Sequence, residues 1–375
     1  MQNQINTIIP AVRMMLSSNS LKTVKFFAEG EFPEAAKTIE SLVVENSENL
    51  LTELSEKIKK AGKPVESITI KGFGSLLVAD YPSQIAKMEA GKPAGKFEKG
   101  AGRAEQRIAI VTGGAQGFGA GIVEHLMQNG ANVVIADLND QKGQEFANEL
   151  NAVERKNKAL FVKANVADAT SVENLIAETV KEFGGLDVFI SNAGILRAGG
   201  LDEMTPETFE LMTKVNYIAY FICSKYASKI MKLQNQWKPD HFADIIQINS
   251  KSGLKGSNKN FAYAGGKFGG IGLTQSFALE LMPYKIKVNS VCPGNFFDGP
   301  LWSDPANGLF VQYLHAGKVP GAKTVQDVKK YYEAQVPAGR GCTPLDVMRA
   351  VYYIIEQEYE TGQAVPVTGG QNMLR

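Results

Sequence analysis

A parallel α/β sheet with helices on both faces is the fold class this sequence predicts, on three observations. Short β-rich runs recur downstream of residue 105 with helical stretches between them: "IAIVTG", "NVVIAD", "ALFVKA", "DVFISN", "DIIQIN", "KVNSVC" and "AVPVTGG". The runs are continuously apolar rather than alternating, the pattern of strands buried on both sides. Strands that alternate with helices need crossover connections, which makes a doubly wound, seven-stranded parallel sheet.

Ahead of these strands, "SLVVENSENLLTELSEKIKKAG" has helical spacing and "ESITIKGFGSLLVAD" reads as two short strands across a glycine turn, so residues 1–90 form a small α/β appendage. Gly, Pro, Lys and Ala dominate the stretch from Tyr81 to Arg107 without an apolar period, which places a linker at 91–104 and the main domain at 105–375. The net charge of the 375 residues is +1, so nothing in the balance suggests nucleic acid or an anionic membrane surface. Small molecules and further copies of the chain are the expected partners. Three scattered cysteines without CxxC spacing suit a reducing compartment. No run of about 18 apolar residues is present to span a bilayer, and "MQNQINTIIPAVRMMLSSNS" lacks the basic start and apolar core of a signal peptide, so a cytoplasmic location is expected. His125, His241 and His315 show no metal-ligand spacing, and no metal is expected.

The first strand runs into "TGGAQGFG", where Gly113, Gly117 and Gly119 precede a helix expected to begin near Gly119. Glycine lets a pyrophosphate approach the backbone, and a helix N-terminus offers it unpaired N–H groups and positive potential. The spacing GxxxGxG alone fits a tight turn as well as a nucleotide loop. Asp137 ends the next strand, where a carboxylate accepts hydrogen bonds from ribose hydroxyls and repels a 2′-phosphate, favouring NAD; its alternative role is to cap the following helix. "GKVPGAKT" at 317–324 has the wrong spacing for a phosphate loop and no apolar strand before it.

"NFAYAGGKF" puts Tyr263 and Lys267 four residues apart, on one face of a helix. A nearby ammonium favours phenolate and lowers a phenol's pKa towards a value useful for general acid–base work. Ser250 follows the strand "DIIQIN" at the carboxyl edge, where such sheets bind their ligands, and its hydroxyl suits a substrate carbonyl or alcohol. A Ser-His-Asp hydrolase is disfavoured, since no GxSxG elbow surrounds this serine.

These residues resemble the short-chain dehydrogenase/reductase family over about 105–375. "TGGAQGFG" is similar to its cofactor loop, "SNAG" at 191–194 to its NNAG segment, "CPGN" at 292–295 to its PG turn, and "TGQAVPVTGG" to its last strand; Asn216 in "KVNYIAY" falls on its helix asparagine. The resemblance implies a Rossmann-type fold and hydride transfer to or from a nicotinamide. It assigns catalysis to Asn216, Ser250, Tyr263 and Lys267: Tyr263 exchanges the hydroxyl proton, Ser250 polarises the oxygen, Lys267 holds the ribose, and Asn216 anchors a relay water. It assigns cofactor binding to Gly113, Gln116, Gly117, Phe118, Gly119, Asp137, Asn165, Val166, Asn192, Ala193, Gly194, Tyr263, Lys267, Pro293 and Gly294. Two positions depart from the family pattern: Asn165 replaces an Asp near the adenine, and Asp298 replaces a Thr after the PG turn.

The long segment between Pro293 and "GRGCTP" would cap the substrate. Its wording resembles the family branch that interconverts sorbitol 6-phosphate and fructose 6-phosphate with NAD. A phosphorylated polyol needs cations, for which Lys251, Lys255 and Arg340 are candidates beside Ser250 and Tyr263; the alternatives are an unphosphorylated polyol, a 3-oxoacyl substrate, or a non-catalytic NAD sensor. The helix carrying Tyr263 holds five glycines, whose helix-propensity cost of about 1 kcal/mol each calls for close packing; with the family's pairing of this helix across a two-fold axis, a homodimer or homotetramer is expected. "ITIKGFGSLLVADYPSQIAKM" resembles a closing strand pair and helix of class II sugar-phosphate aldolases; residues 1–90 hold no histidine, so the unit is expected to be a non-catalytic module for oligomerisation or capping.

Overall fold

A computed structural model of the chain describes residues 2–18, 20–95, 99–315 and 317–373. The middle of the linker, 96–98, lies outside the described residues. The N-terminal unit comprises α1 (Gln2–Leu16), β1 (Thr23–Ala28), β2 (Leu42–Glu45), α2 (Leu50–Lys60), β3 (Ser67–Lys71), β4 (Gly74–Ala79) and α3 (Pro82–Glu89). Its sheet runs β1-β4-β3-β2. β3 and β4 pair antiparallel across a turn in which Gly72 takes φ 71°, as the sequence suggests. Residues 42–45 instead form a strand parallel to β3, where a helical start is expected. Their paired valines favour the pleat, and the helix waits until the polar run 46–49 has turned the chain.

The larger sheet is built from β5 (Ile108–Thr112), β6 (Asn132–Asp137), β7 (Ala159–Lys163), β8 (Val188–Ser191), β9 (Ala243–Ile248), β10 (Ile286–Pro293) and β11 (Ala364–Val367). All seven expected strands form, every pairing is parallel, and the order is β7-β6-β5-β8-β9-β10-β11. The intervening helices are α4 (Gly117–Gln128), α5 (Asp140–Ala152), α6 (Ala169–Phe183), α7 (Pro206–Thr213), α8 (Ala219–Trp237), α9 (Phe261–Leu281), α10 (Pro300–Ser303), α11 (Leu309–His315), α12 (Val325–Ala334) and α13 (Pro344–Glu356). α4, α5 and α13 cover one face, while α6, α8 and α9 cover the other. Strand order reverses between β5 and β8, so a ligand crevice opens at their carboxyl ends.

The N-terminal unit packs at the opposite, amino edge. α1 lies against α6 and α8, and its Ile5, Ile8, Ile9 and Val12 join the same core as Val172, Phe183 and Met231. Arg13 and Asp187 are both fully buried there and form a forked pair, Nη1 to Oδ1 at 2.9 Å and Nη2 to Oδ2 at 2.8 Å. The same carboxylate accepts the N–H of Ile108 at the start of β5 and bonds His241 Nε2 at 3.0 Å. Burial alone would raise its pKa, but Arg13 and His241 outweigh that and hold it well below the usual carboxylate range.

Candidate active site

At the carboxyl edge, β5 passes into the glycine loop. The following helix begins at Gly117 with Gln116 as its N-cap, two residues earlier than the sequence suggests. Gly113 and Gly117 both have φ 61°, which side chains disfavour. A Cβ on Gly119 would lie 2.0 Å from the Gly113 carbonyl, so the helix turns onto the loop only with glycine there. This cradle suits a pyrophosphate at a helix N-terminus. Asn192 ties the loop to the end of β8, donating to Thr112 O at 2.9 Å and Gly113 O at 3.1 Å, while Thr112 Oγ1 accepts the N–H groups of Asn192 and Ala193.

Asp137 sits beside this loop and accepts from Ala115 N at 3.1 Å and Asn139 N at 3.0 Å. The cap of α5 is Asn139, which accepts from Lys142 N, so Asp137 does not take the alternative role of helix N-cap. Asn165 accepts from Ala167 N, in the turn after β7 next to the buried Val166. Pro293 ends β10, and Gly294 donates to Val367 O at 2.8 Å.

Tyr263 and Lys267 share α9, with Lys267 Nζ 5.5 Å from the Tyr263 ring centroid. The Ser250 side chain acts on the phenol and lowers its pKa. Burial nevertheless pushes the phenol up to about 12, against the lowering effect of Ser250. The expectation that Lys267 brings it down is therefore corrected: desolvation dominates, and Lys267 is itself lowered by burial to about 8. Lys267 Nζ donates to Ile248 O at 2.9 Å. Asn216 lies in a π-helical turn, Lys214–Ile218, with both polar atoms of its amide used on the main chain of Ile195 at 2.8 and 3.1 Å. A Cβ on Gly194 would lie 2.8 Å from Asn216 Oδ1.

Residues 295–315 and 317–342 fold over the crevice as a cap with its own aromatic core of Phe297, Trp302, Phe310, Tyr313 and Tyr332. Phe296 of this cap stacks on Phe118 of the glycine loop at 4.8 Å, a contact that no local pattern announces. Asp298 binds Lys329 of α12 at 2.8 Å and so works within the cap. Arg340, expected at a substrate phosphate, is instead forked onto Asp346 at 2.6 and 2.9 Å, where that carboxylate also completes the N-terminal cap of α13. Its charge is already matched. Lys251, half-buried in the turn after Ser250, and the exposed Lys255 have no ion-pair partner among the described residues. Burial, and then Lys255, lower the pKa of Lys251.

Comparison with known proteins agrees with this geometry. The family model described as short chain dehydrogenase matches residues 107–301. Sorbitol-6-phosphate 2-dehydrogenase of Escherichia coli (strain K12) is 36% identical over 273 residues, covering 72% of this chain and 99% of that protein. The crystal structure of sorbitol-6-phosphate 2-dehydrogenase from Erwinia amylovora superposes with a TM-score of 0.65 at 36% identity, over 71% of this chain and all of that one. An actinorhodin polyketide ketoreductase solved with NADPH gives a TM-score of 0.63 at 26% identity, over 71% of this chain and 97% of its own.

Proposed function

Because this chain belongs to the short-chain dehydrogenase/reductase family of oxidoreductases, we propose that it interconverts a secondary alcohol and a ketone on a sugar-alcohol phosphate with NAD, the pair being sorbitol 6-phosphate and fructose 6-phosphate. The observation that carries this reading is the pair Lys251 and Lys255, two like charges that follow Ser250 and have no counter-ion among the described residues. A phosphate dianion would relieve that repulsion. The relatives named for sorbitol 6-phosphate support the same substrate.

Gly113, Gly117 and the N-terminus of α4 would hold the pyrophosphate, with Gln116 and Phe118 beside it. Asp137 would take the adenosine ribose hydroxyls, and Asn165 with Val166 the adenine. Asn192, Ala193, Gly194, Pro293 and Gly294 would line the nicotinamide. The bound dinucleotide supplies the hydride acceptor or donor. Ser250 holds the substrate oxygen, Tyr263 takes or returns its proton, and Lys267 binds the ribose from the same helix. Arg340 is paired with Asp346 in this structure, and the phosphate is assigned first to Lys251 and Lys255.

The test is nicotinamide absorbance with sorbitol 6-phosphate, sorbitol and a 3-oxoacyl thioester, each with NAD and NADP. Turnover of sorbitol 6-phosphate with NAD is expected. Replacing both Lys251 and Lys255 by alanine should raise the KM for the phosphate about tenfold or more with kcat little changed, because that contact is the same in ground and transition states. Equal kcat/KM for free sorbitol would favour the unphosphorylated polyol, and NAD binding without any turnover would favour a sensor.

No described helix is long and apolar enough to cross a membrane, and we place the enzyme in the cytoplasm. It acts as a homodimer or homotetramer through α9. Gly265, Phe268, Gly272 and Leu279 share one face of that helix; a methyl group on either glycine would meet nothing within 4 Å, and Leu279 is 82% exposed. Phe221 and Ile218 extend this apolar surface from α8 and the turn before it. Light scattering at micromolar concentration should give two or four chain masses; a monomer mass would refute the pairing.

A further inference from the structure

Asn249, the residue before Ser250, is buried and spends its side chain on both catalytic segments. Its Oδ1 accepts the Ser250 N–H at 2.8 Å, and its Nδ2 donates to the main-chain oxygen of Lys267 at 2.9 Å and to Gln247 Oε1 at 2.7 Å. Its own N–H donates to Val291 O in β10 at 2.7 Å. From Gln247 the buried chain of bonds continues to Ser290 Oγ at 3.1 Å, Thr274 Oγ1 at 2.7 Å and the Tyr220 hydroxyl at 3.1 Å. The turn after Ser250 closes on this clamp only because residue 253 is glycine: a Cβ there would lie 2.2 Å from Asn249 Oδ1 and 3.0 Å from Lys267 O.

We infer that Asn249 is a positioning residue, an amide clamp that sets the Ser250 loop and the Tyr263–Lys267 helix in one register for proton transfer. This rests on the reading of Ser250, Tyr263 and Lys267 as the proton-handling groups. A planar amide accepts from the loop and donates to the helix at once, which a single hydroxyl in its place does not reproduce. Without the clamp the Ser250 N–H loses its partner and the hydroxyl drifts from the phenol. Ser250 lowers the phenol's pKa from where the clamp holds it, so its displacement moves the titration upward.

The experiment compares full-length Asn249→Ala and Asn249→Ser with wild type, using Tyr352→Phe as a stability control that removes a hydroxyl bond to His125 O far from the site. Asn249→Ala should lower kcat about tenfold or more, leave the KM for NAD within about twofold, and move the ascending limb of kcat/KM for alcohol oxidation to higher pH. Asn249→Ser should shift the same way, and carries the test where the alanine variant does not fold. Tyr352→Phe should lose thermal stability with an unmoved limb. Wild-type kcat and limb in a folded Asn249 variant would overturn the inference, whatever the loss in Tm. Ser250→Ala and Tyr263→Phe are measured alongside: full activity in those two overturns the site reading and the clamp with it, whereas their inactivity beside an unaffected Asn249 variant overturns the clamp alone.

Discussion

Tyr263→Phe should lower kcat for alcohol oxidation by about 10²- to 10⁴-fold while the protein still folds and binds NAD. On the proposed reading the phenol is the acid–base group, and the hydroxyl of Ser250, whose influence it feels, is too weak a base to replace it. Lys267 Nζ is engaged with Ile248 O and lies 5.5 Å from the phenol ring centroid. Oxidation needs the unprotonated phenol, so kcat/KM climbs with pH through the phenol's titration; reduction needs the protonated form and declines over the same range. Burial pushes that titration up to about 12 in the free protein, and the positive charge of a bound oxidised nicotinamide would draw it down. The wild-type limb should therefore fall below that value with NAD bound and be absent in Tyr263→Phe. Stopped-flow absorbance across pH, with cofactor fluorescence for binding, checks both. A variant that keeps its limb and its rate would remove Tyr263 from the mechanism.

Arg13→Met should destabilise the whole chain by about 3–5 kcal/mol, the cost of stripping one partner from a buried ion pair. The pair has no exposure on either side, and Asp187 also holds the N–H that opens β5. Damage at α1 therefore reaches the strand that feeds the glycine loop. The pH dependence has a definite sign. In the wild type the Asp187 pKa is depressed, so its contribution is complete above the unfolded carboxylate value and is lost as pH falls. Without Arg13 only His241 and the Ile108 N–H oppose burial, so the depression shrinks and with it the stability that the ionised carboxylate contributes at neutral pH. The gap between wild type and variant should thus widen from acid to neutral pH. Urea unfolding at several pH values measures this, and Arg13→Met/Asp187→Leu should recover part of the loss. An Arg13→Met chain as stable as wild type would mean the N-terminal unit is merely tethered.

What a sequence makes legible here follows from the range of the interaction. Seven apolar strands and the four-residue spacing of Tyr263 and Lys267 are local patterns, and they form as read. α1 carries Pro10 in its interior and β1 is only six residues long, so neither gives a clean period. Arg13 finds Asp187 across 174 positions, a pairing no window of sequence contains. Arg340 reads as a free cation until α13 folds and brings Asp346 against it. The phenol's environment is hidden for a different reason: spacing shows that an ammonium is near, but not that desolvation outweighs it.

The cap draws its cohesion from its own aromatic cluster rather than from the sheet's core, and it leaves and rejoins the sheet around Gly294 and Gly341. Selectivity and hydride chemistry are in that sense separate inheritances. Substitutions within the cluster can reshape what is admitted while the strand ends and helix that position Ser250, Tyr263 and Asp137 stay as they are. A directed library in this segment is accordingly the economical place to seek altered substrate selectivity, with Phe296 held constant so that the cap keeps its contact with Phe118.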